Sequence, residues 1–215
     1  MTTGMPRADF LGRLTEARLM AIVRAPDADG AVRAALAVCE AGIRLVEISL
    51  TTPGGVDAIA KVRAEAPPAV LVGAGTVLTA RDVDDVRVAG AEFVVTPALA
   101  ESVDAAVAAG LPVAAGALTP SEAVAAVQRG ADVVKLFPAS AVGPAYLRGL
   151  RDPLPGVPFM AVGGIDAEAA RAFLAAGAVA VGVGGPLVGD AATGGDLAAL
   201  RHRAQELVSA TSRTT

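Results

Sequence analysis

Short apolar runs alternate along the chain with longer Ala-rich stretches whose polar residues recur at helical spacing. The short runs predict buried strands, and the longer stretches predict amphipathic helices. The predicted strands are Met20–Arg24, Arg44–Ser49, Val70–Gly73, Phe93–Thr96, Pro112–Ala115, Val133–Phe137, Pro158–Val162 and Val179–Val183. The predicted helices are Ala8–Arg18, Asp29–Ala41, Gly55–Glu65, Ala80–Ala89, Glu101–Ala109, Pro120–Gln128, Pro144–Leu150, Ala167–Ala175 and Asp196–Ser209.

Glycines mark the ends of the predicted helices. Gly42, Gly90, Gly110, Gly130 and Gly177 each follow an Ala-rich stretch, where a left-handed residue commonly closes a helix. Eight strand–helix units with no linker between them predict one domain over residues 1–215. The predicted fold is α/β, a (β/α)8 TIM barrel with an extra N-terminal helix. A doubly wound open sheet is the alternative, but no Gly-x-Gly-x-x-Gly follows the first strand.

Composition narrows the class of partner. Of the 215 residues, 53% are hydrophobic and 19% are charged, which is typical of a folded domain with a large core. The net charge is −4 and no basic stripe is present, so we expect neither nucleic acid nor a membrane surface as partner. The charge-free stretch Ala172–Gly189 approaches membrane-spanning length, but its glycines divide it into a helix end, a strand and a loop. Because Met1–Phe10 shows no signal peptide, we expect a cytoplasmic protein.

The chain has one cysteine and one histidine. Cys39 lies in the apolar face of a predicted helix, and His202 lies between two arginines near the C-terminus. These residues cannot make an ordinary zinc site, and no acidic cluster indicates a magnesium site. We therefore expect neither a metal nor another cofactor.

Lys135 interrupts the apolar run 133–137, in a chain whose only other lysine is Lys61. Burial lowers the pKa of a lysine and makes its amine nucleophilic, whereas arginine keeps its proton. One interpretation is a Schiff-base lysine that attacks a carbonyl substrate. The other is a structural lysine at a strand end whose ammonium reaches water. The local sequence does not distinguish them.

Glu47 interrupts the strand 44–49 in the same way. Both strands would place an ionisable side chain inside one barrel, near the carboxyl ends of the strands where barrel active sites lie. A buried Glu47–Lys135 salt bridge is a poor source of stability, because desolvation offsets most of the attraction. The pair therefore favours a nucleophilic amine beside a general base.

Glycine pairs follow the last two predicted strands, at Gly163–Gly164 and Gly184–Gly185. Backbone N–H groups without side chains can surround a phosphate, and the N-terminus of the following helix adds positive potential. Tight strand-to-helix turns would explain the glycines equally simply, but their position on neighbouring strands favours a phosphate site.

With these residues assembled, the sequence resembles the 2-keto-3-deoxy-6-phosphogluconate/4-hydroxy-2-oxoglutarate aldolase family. The resemblance runs from about Ala21 to the end of the eighth strand. It rests on four motifs in order: Val46-Glu47-Ile48-Ser49-Leu50-Thr51, Gly73-Ala74-Gly75-Thr76-Val77, Val95-Thr96-Pro97 and Lys135-Leu136-Phe137-Pro138-Ala139.

The resemblance implies a class I aldolase, in which Lys135 forms the Schiff base and Glu47 is the general acid and base. It implies a cytoplasmic homotrimer that needs no metal and acts on a keto-acid phosphate. It further implies that Thr76, Pro97 and Phe137 line the pyruvate end of the pocket. The phosphate would be held by Gly163, Gly164, Gly184 and Gly185.

The sequence departs from this family pattern at three positions. Many members have an arginine at the position of Thr51, so we expect Arg24 to bind the substrate carboxylate instead, with Thr51 beside it. Val162 replaces a threonine, which is more similar to the 6-phosphogalactonate branch. Gly185 replaces a serine and removes one hydroxyl donor to the phosphate. Two other hypotheses remain: a phosphosugar epimerase, isomerase or decarboxylase, and a non-catalytic phosphosugar-binding barrel.

Overall fold

A computed structural model describes residues 7–213 of the chain. Eight parallel strands pair in sequence order and close into a barrel, which confirms the predicted TIM-barrel fold. The strands are β1 Leu19–Val23, β2 Leu45–Ser49, β3 Leu71–Gly75, β4 Val94–Val95, β5 Val113–Ala117, β6 Val133–Leu136, β7 Phe159–Val162 and β8 Ala180–Val183.

Helices surround the barrel and connect the strands. They are α1 Arg7–Ala17, α2 Ala28–Glu40, α3 Gly55–Glu65, α4 Ala80–Val88, α5 Glu101–Ala108, α6 Pro120–Gln128, α7 Gly143–Arg151, α8 Ala167–Ala175, α9 Gly185–Val188 and α10 Leu197–Thr211. Two 3₁₀ turns lie at Ala139–Ala141 and Ala191–Thr193. None of the helices within residues 7–213 is long and apolar enough to span a membrane.

Most helix ends follow the predicted signals. The five glycines predicted to close helices all have positive φ, between 75° and 102°. Thr79 and Thr119 begin α4 and α6 with reciprocal capping boxes, in which each hydroxyl accepts from a backbone N–H one turn on. Cys39 is buried in α2, as predicted.

The structure corrects the predicted ends of two strands and the prediction for one loop. Strands β3 and β5 continue two residues further than predicted, because Gly75 pairs with Ser49 and Gly116 pairs with Lys135. A glycine weakens a strand prediction, but here the neighbouring strand supplies the partner. The segment after β8 is partly the short helix α9 rather than loop throughout, and its Leu187 and Val188 are buried.

Helix α1 closes the amino-terminal end of the barrel. Phe10 and Leu14 belong to the apolar cluster inside the barrel, and the Phe10 ring stacks on Phe93 with centroids 5.0 Å apart. Met20, Leu45 and other apolar side chains fill the same layer. Because this end is packed, polar side chains inside the barrel lie toward the carboxyl ends of the strands.

Candidate active site

Glu47 and Lys135 face the interior of the barrel at the same end. Side chains on a strand alternate between its two faces, and Leu45 and Val133, two residues before each of them, both lie in the interior cluster. Glu47 is 1% exposed and Lys135 is 5% exposed. The charge of each residue also shifts the pKa of the other, so the two predicted residues interact electrostatically inside the barrel.

Burial favours the uncharged form of both groups. It raises the pKa of the Glu47 carboxyl, against the opposing attraction of the Lys135 and Arg24 charges. It lowers the pKa of the Lys135 ammonium; the Glu47 charge opposes this shift and the Arg24 charge adds to it. An amine that loses its proton easily, beside a carboxyl that keeps one, is suited to attack and proton transfer at a carbonyl.

Glu47 Oε2 has no hydrogen-bond partner among residues 7–213, although it is completely buried. A buried oxygen without a partner costs free energy, on the order of 1–3 kcal/mol. Such costs persist at positions where function requires an available polar group.

Interior glycines give these side chains their space. A Cβ at Gly75 would overlap the Glu47 carboxyl group. Gly116 pairs with Lys135, and a Cβ there would overlap the backbone of Pro97 and crowd Ala98. The loop after β4 therefore crosses the barrel mouth next to Lys135, which places the predicted Pro97 at the site.

Three hydroxyl groups link Arg24 to the interior of the site. Arg24 Nε donates to Thr51 Oγ1 at 2.8 Å. Thr51 Oγ1 lies 2.8 Å from Ser49 Oγ, which lies 2.9 Å from Thr76 Oγ1. Ser49 is fully buried and follows Glu47 by two residues, so both side chains lie on the inner face of β2. The structure thus brings Arg24, Thr51 and Thr76 together.

Thr76 has a left-handed backbone, with φ of 58°. This conformation is a rare outlier for a β-branched residue, and strain of this kind commonly marks a functional site. In this conformation the Thr76 hydroxyl lies 2.9 Å from Ser49 Oγ.

Phe137 forms one wall of the site. Its ring centroid lies 5.1 Å from Lys135 Nζ, within the range of a cation–π contact when the amine is charged. The ring also borders Gly163, where an added Cβ would lie 3.2 Å from it. Gly163 and Gly164 both have positive φ, and a Cβ at Gly164 would lie 2.7 Å from Ser140 Cβ.

The helices next to the two glycine pairs differ at their N-termini. Asp166 caps α8, accepting from Ala169 N at 2.8 Å, so the helix after Gly163–Gly164 already has an acidic partner. This corrects the expectation of free positive potential there. Within the described chain, no side chain caps α9, whose N-cap is Gly184 and whose first residue is Gly185. In its first turn Pro186 has no N–H, and the N–H groups of Leu187 and Val188 donate to Gly184 O, so Gly185 is the residue whose N–H is not used in this way.

Residues 11–202 match the protein family described as "Aldolase: KDPG and KHG aldolase". The chain belongs to this aldolase family. It is 36% identical over 175 residues to the 2-dehydro-3-deoxy-6-phosphogalactonate aldolase of Escherichia coli K12, a match that covers 80% of this chain and 85% of the relative. It is 34% identical over 198 residues to the KHG/KDPG aldolase of the same organism, covering 91% and 92%.

A solved aldolase structure has the same fold. The KDPG aldolase of Legionella pneumophila, described with pyruvate captured at low pH as a covalent carbinolamine intermediate, superposes with a TM-score of 0.84 and 25% identity. The match covers 94% of this chain and 98% of that one. The family relationship makes this chain an aldolase, and aldolases are lyases.

The sequence prediction named Ser49 and Gly75 within the family motifs but assigned them no role, and it did not name Ser140 or Gly116. A local signal existed for Ser49 and Gly75, because each lies two residues beyond another unusual inward-facing position, Glu47 or Gly73. Ser140 had no such signal, since its closeness to Gly164 depends on how two strand-end loops meet.

Proposed function

We propose that this protein is a class I aldolase that cleaves a 2-keto-3-deoxy-6-phospho sugar acid through a Schiff base on Lys135. The observation that supports it best is the buried pair of Lys135 and Glu47, each shifted toward its uncharged form at the carboxyl end of the barrel. The Legionella relative, described with pyruvate as a covalent carbinolamine, supports the same chemistry.

The first half of the reaction forms the imine. The neutral Nζ of Lys135 attacks C2 of the substrate, and one proton moves from Nζ to the C2 oxygen to give a neutral carbinolamine. Glu47, in its carboxyl form, donates its proton to the departing hydroxyl group. Water leaves, and a protonated imine and the Glu47 carboxylate remain. The available Oε2 of Glu47 suits this transfer, because no protein hydrogen bond within residues 7–213 has to break.

The second half breaks the C3–C4 bond. The Glu47 carboxylate, directly or through water, accepts the proton of the C4 hydroxyl group. The electron pair of the C3–C4 bond moves into the imine, which releases an aldehyde and leaves an enamine. Glu47 returns the proton to C3, and addition of water frees pyruvate and the Lys135 amine. With a 6-phospho substrate the aldehyde is glyceraldehyde 3-phosphate.

Arg24 and Thr76 are proposed to bind the substrate carboxylate. The Nε of Arg24 is held by Thr51, so its Nη groups are left for a carboxylate. The hydroxyl contacts through Thr51 and Ser49 connect the guanidinium to the inner face of β2, and its charge acts on both Glu47 and Lys135. Pro97, which lies beside Gly116, and Phe137, which lies beside Lys135, are proposed to line the pyruvate end of the site.

The phosphate is proposed to lie across the two glycine pairs, Gly163–Gly164 and Gly184–Gly185. The N–H of Gly185, the first residue of α9, would donate to the phosphate there, and nothing lies within 4 Å of a Cβ added at Gly185. The E. coli phosphogalactonate relative supports a substrate of that type. The same chemistry would cleave 4-hydroxy-2-oxoglutarate to pyruvate and glyoxylate, the reaction suggested by the KHG/KDPG relative.

Identifying the reaction product distinguishes the proposed aldolase from a phosphosugar-converting enzyme and from a non-catalytic binding barrel. Pyruvate release should be followed with the two C4 epimers of the 6-phospho acid and with their dephosphorylated forms. We expect pyruvate from at least one phosphorylated epimer. Interconversion of phosphosugars without pyruvate would identify an isomerase or epimerase, and tight binding without turnover would identify a binding barrel.

Assembly and location remain predictions. The family resemblance leads us to propose a cytoplasmic homotrimer. Sedimentation equilibrium would show a mass three times that of the chain, and a monomer at micromolar concentration would contradict the proposal.

A further inference from the structure

We propose that Ser49 is a positioning residue: with Thr51 it forms a hydroxyl chain that fixes Arg24 and Thr76 as one unit for recognising the substrate carboxylate. The inference rests on the proposed function and extends it to residues that do not touch the reacting atoms. It is carried by the continuous contacts from Arg24 through Thr51 and Ser49 to Thr76.

The side-chain chemistry of Arg24 determines which hydroxyl donates and which accepts at each contact of the hydroxyl chain. An arginine Nε–H can only donate, so Thr51 Oγ1 accepts from Arg24. The positive charge polarises Thr51 to donate its own hydrogen onward to Ser49 Oγ. The backbone N–H of Thr51 also donates to Ser49 Oγ, at 3.4 Å.

Ser49 then has two donors directed at its oxygen and one hydrogen to give. The remaining neighbour is Thr76 Oγ1, at 2.9 Å, so Ser49 donates to Thr76. The hydrogen of the Thr76 hydroxyl is thereby free to point away from Ser49, toward an anion in the barrel mouth. A hydroxyl polarised in this way is a stronger donor than an isolated one.

The backbone of Thr76 supports this assignment. Its left-handed conformation is costly for a β-branched residue, and in this conformation the hydroxyl contacts buried Ser49. Ser49 lies on the same face of β2 as Glu47, two residues further toward the mouth. The rigid strand therefore sets the position of the carboxylate site relative to the acid–base group.

Borohydride trapping of the pyruvate imine, measured as a function of pyruvate concentration, tests the proposal. Ser49→Ala and Thr51→Val each interrupt the chain without adding bulk. We expect each to raise the half-saturating pyruvate concentration about tenfold, the size of effect of weakening one hydrogen bond to a charged group. The trapping rate at saturation should change much less, because neither residue touches the amine.

Two comparisons make the test decisive. Thr51→Ser restores the hydroxyl and should recover most of the loss seen in Thr51→Val. The double variant Ser49→Ala/Thr51→Val should be no worse than either single variant, because both interrupt one chain. The proposal fails if Ser49→Ala leaves the half-saturating pyruvate concentration unchanged, or if Thr51→Ser raises it as much as Thr51→Val does. It also fails if the trapping rate at saturation falls by the same factor as the half-saturating concentration rises.

The experiment distinguishes a failure of the hydroxyl-chain proposal from a folding defect and from a failure of the proposed function. If Ser49→Ala does not fold, the exposed Thr51 still decides through its Val and Ser variants. An adduct in the unmodified protein tests the Schiff-base function itself, before any variant is compared. No adduct there would overturn that function and the carboxylate role with it, whereas an adduct with unaltered variants would overturn only the hydroxyl chain.

Discussion

The Glu47 carboxyl group occupies the space that a side chain at Gly75 would need: a Cβ at Gly75 would lie 2.5 Å from Glu47 Cγ and still closer to the carboxyl atoms. The two residues lie on neighbouring strands, with Gly75 paired to Ser49. The glycine at the end of β3 therefore determines where the proposed general acid and base can lie.

Gly75→Ala should lose activity more than stability. The added methyl group meets a side chain that can rotate, so the barrel can accommodate it at an overpacking cost of about 1–3 kcal/mol. The displaced Glu47 can no longer reach the substrate, so we expect kcat to fall at least about 100-fold. Gly149→Ala on α7 is the matched control, because nothing lies within 4 Å of its added Cβ. Wild-type turnover in Gly75→Ala would contradict this role of Gly75.

Glu47→Gln keeps the shape of the side chain and removes its proton chemistry. We expect aldol cleavage to slow by about 10²–10⁴-fold, the usual contribution of a general acid–base group. Some imine with pyruvate should still form, since the Lys135 amine remains. Steady-state pyruvate release and borohydride trapping, measured on the same preparation, separate the two effects. Cleavage at the wild-type rate in Glu47→Gln would contradict the acid–base role of Glu47.

The pH dependence of imine formation should move in opposite directions in two variants. The neutral amine is the nucleophile, so the rate rises with pH through the Lys135 pKa, which burial has lowered. The Glu47 charge raises this pKa, so Glu47→Gln should shift the profile to lower pH. The Arg24 charge lowers the pKa, so Arg24→Gln should shift the profile to higher pH.

Trapping at saturating pyruvate across pH measures these shifts. Arg44→Gln is the control for the Arg24 variant: it removes the same charge from an exposed residue just before β2, at the opposite end of the barrel. Shifts in the same direction for Glu47→Gln and Arg24→Gln would contradict the electrostatic description of the site.

Gly185→Ser should improve binding of the phosphate. Nothing lies within 4 Å of a Cβ at Gly185, so the serine fits and adds a hydroxyl donor beside the first turn of α9. We expect KM for the phosphorylated substrate to fall about three- to tenfold, with little change for the dephosphorylated form. Gly164→Ala should do the opposite, because φ there is 68° and the methyl group meets Ser140. Equal KM changes for both substrate forms in Gly185→Ser would place the phosphate elsewhere.

The fold could be predicted because its signals are local. Hydrophobic periodicity gave the strands and the helices, and glycines of positive φ closed five helices where predicted. The extensions of β3 and β5 could not be predicted from such local signals. Gly75 and Gly116 are strand residues because of their partners on the neighbouring strands, Ser49 and Lys135, and not because of their own propensity.

The candidate site was predictable where a charge interrupts an apolar run. Lys135 and Glu47 are conspicuous for that reason, because an ion inside a strand is costly. The hydroxyl chain could not be predicted from the sequence, because the contacts of Arg24 with Thr51 and of Ser49 with Thr76 each join residues 27 positions apart. Serine and threonine are common, so only their geometry reveals a shared role.

Borohydride reduction with pyruvate, followed by peptide mass spectrometry, tests the central claim most directly. We predict a stable pyruvyl adduct on Lys135, its loss in Lys135→Arg, and an unchanged yield in Lys61→Arg, since Lys61 is an exposed residue paired with Asp29 at 3.2 Å. Lys135→Arg keeps the charge but cannot form the imine, so its turnover should be abolished. No adduct, or an adduct on Lys61 alone, would contradict the Schiff-base account.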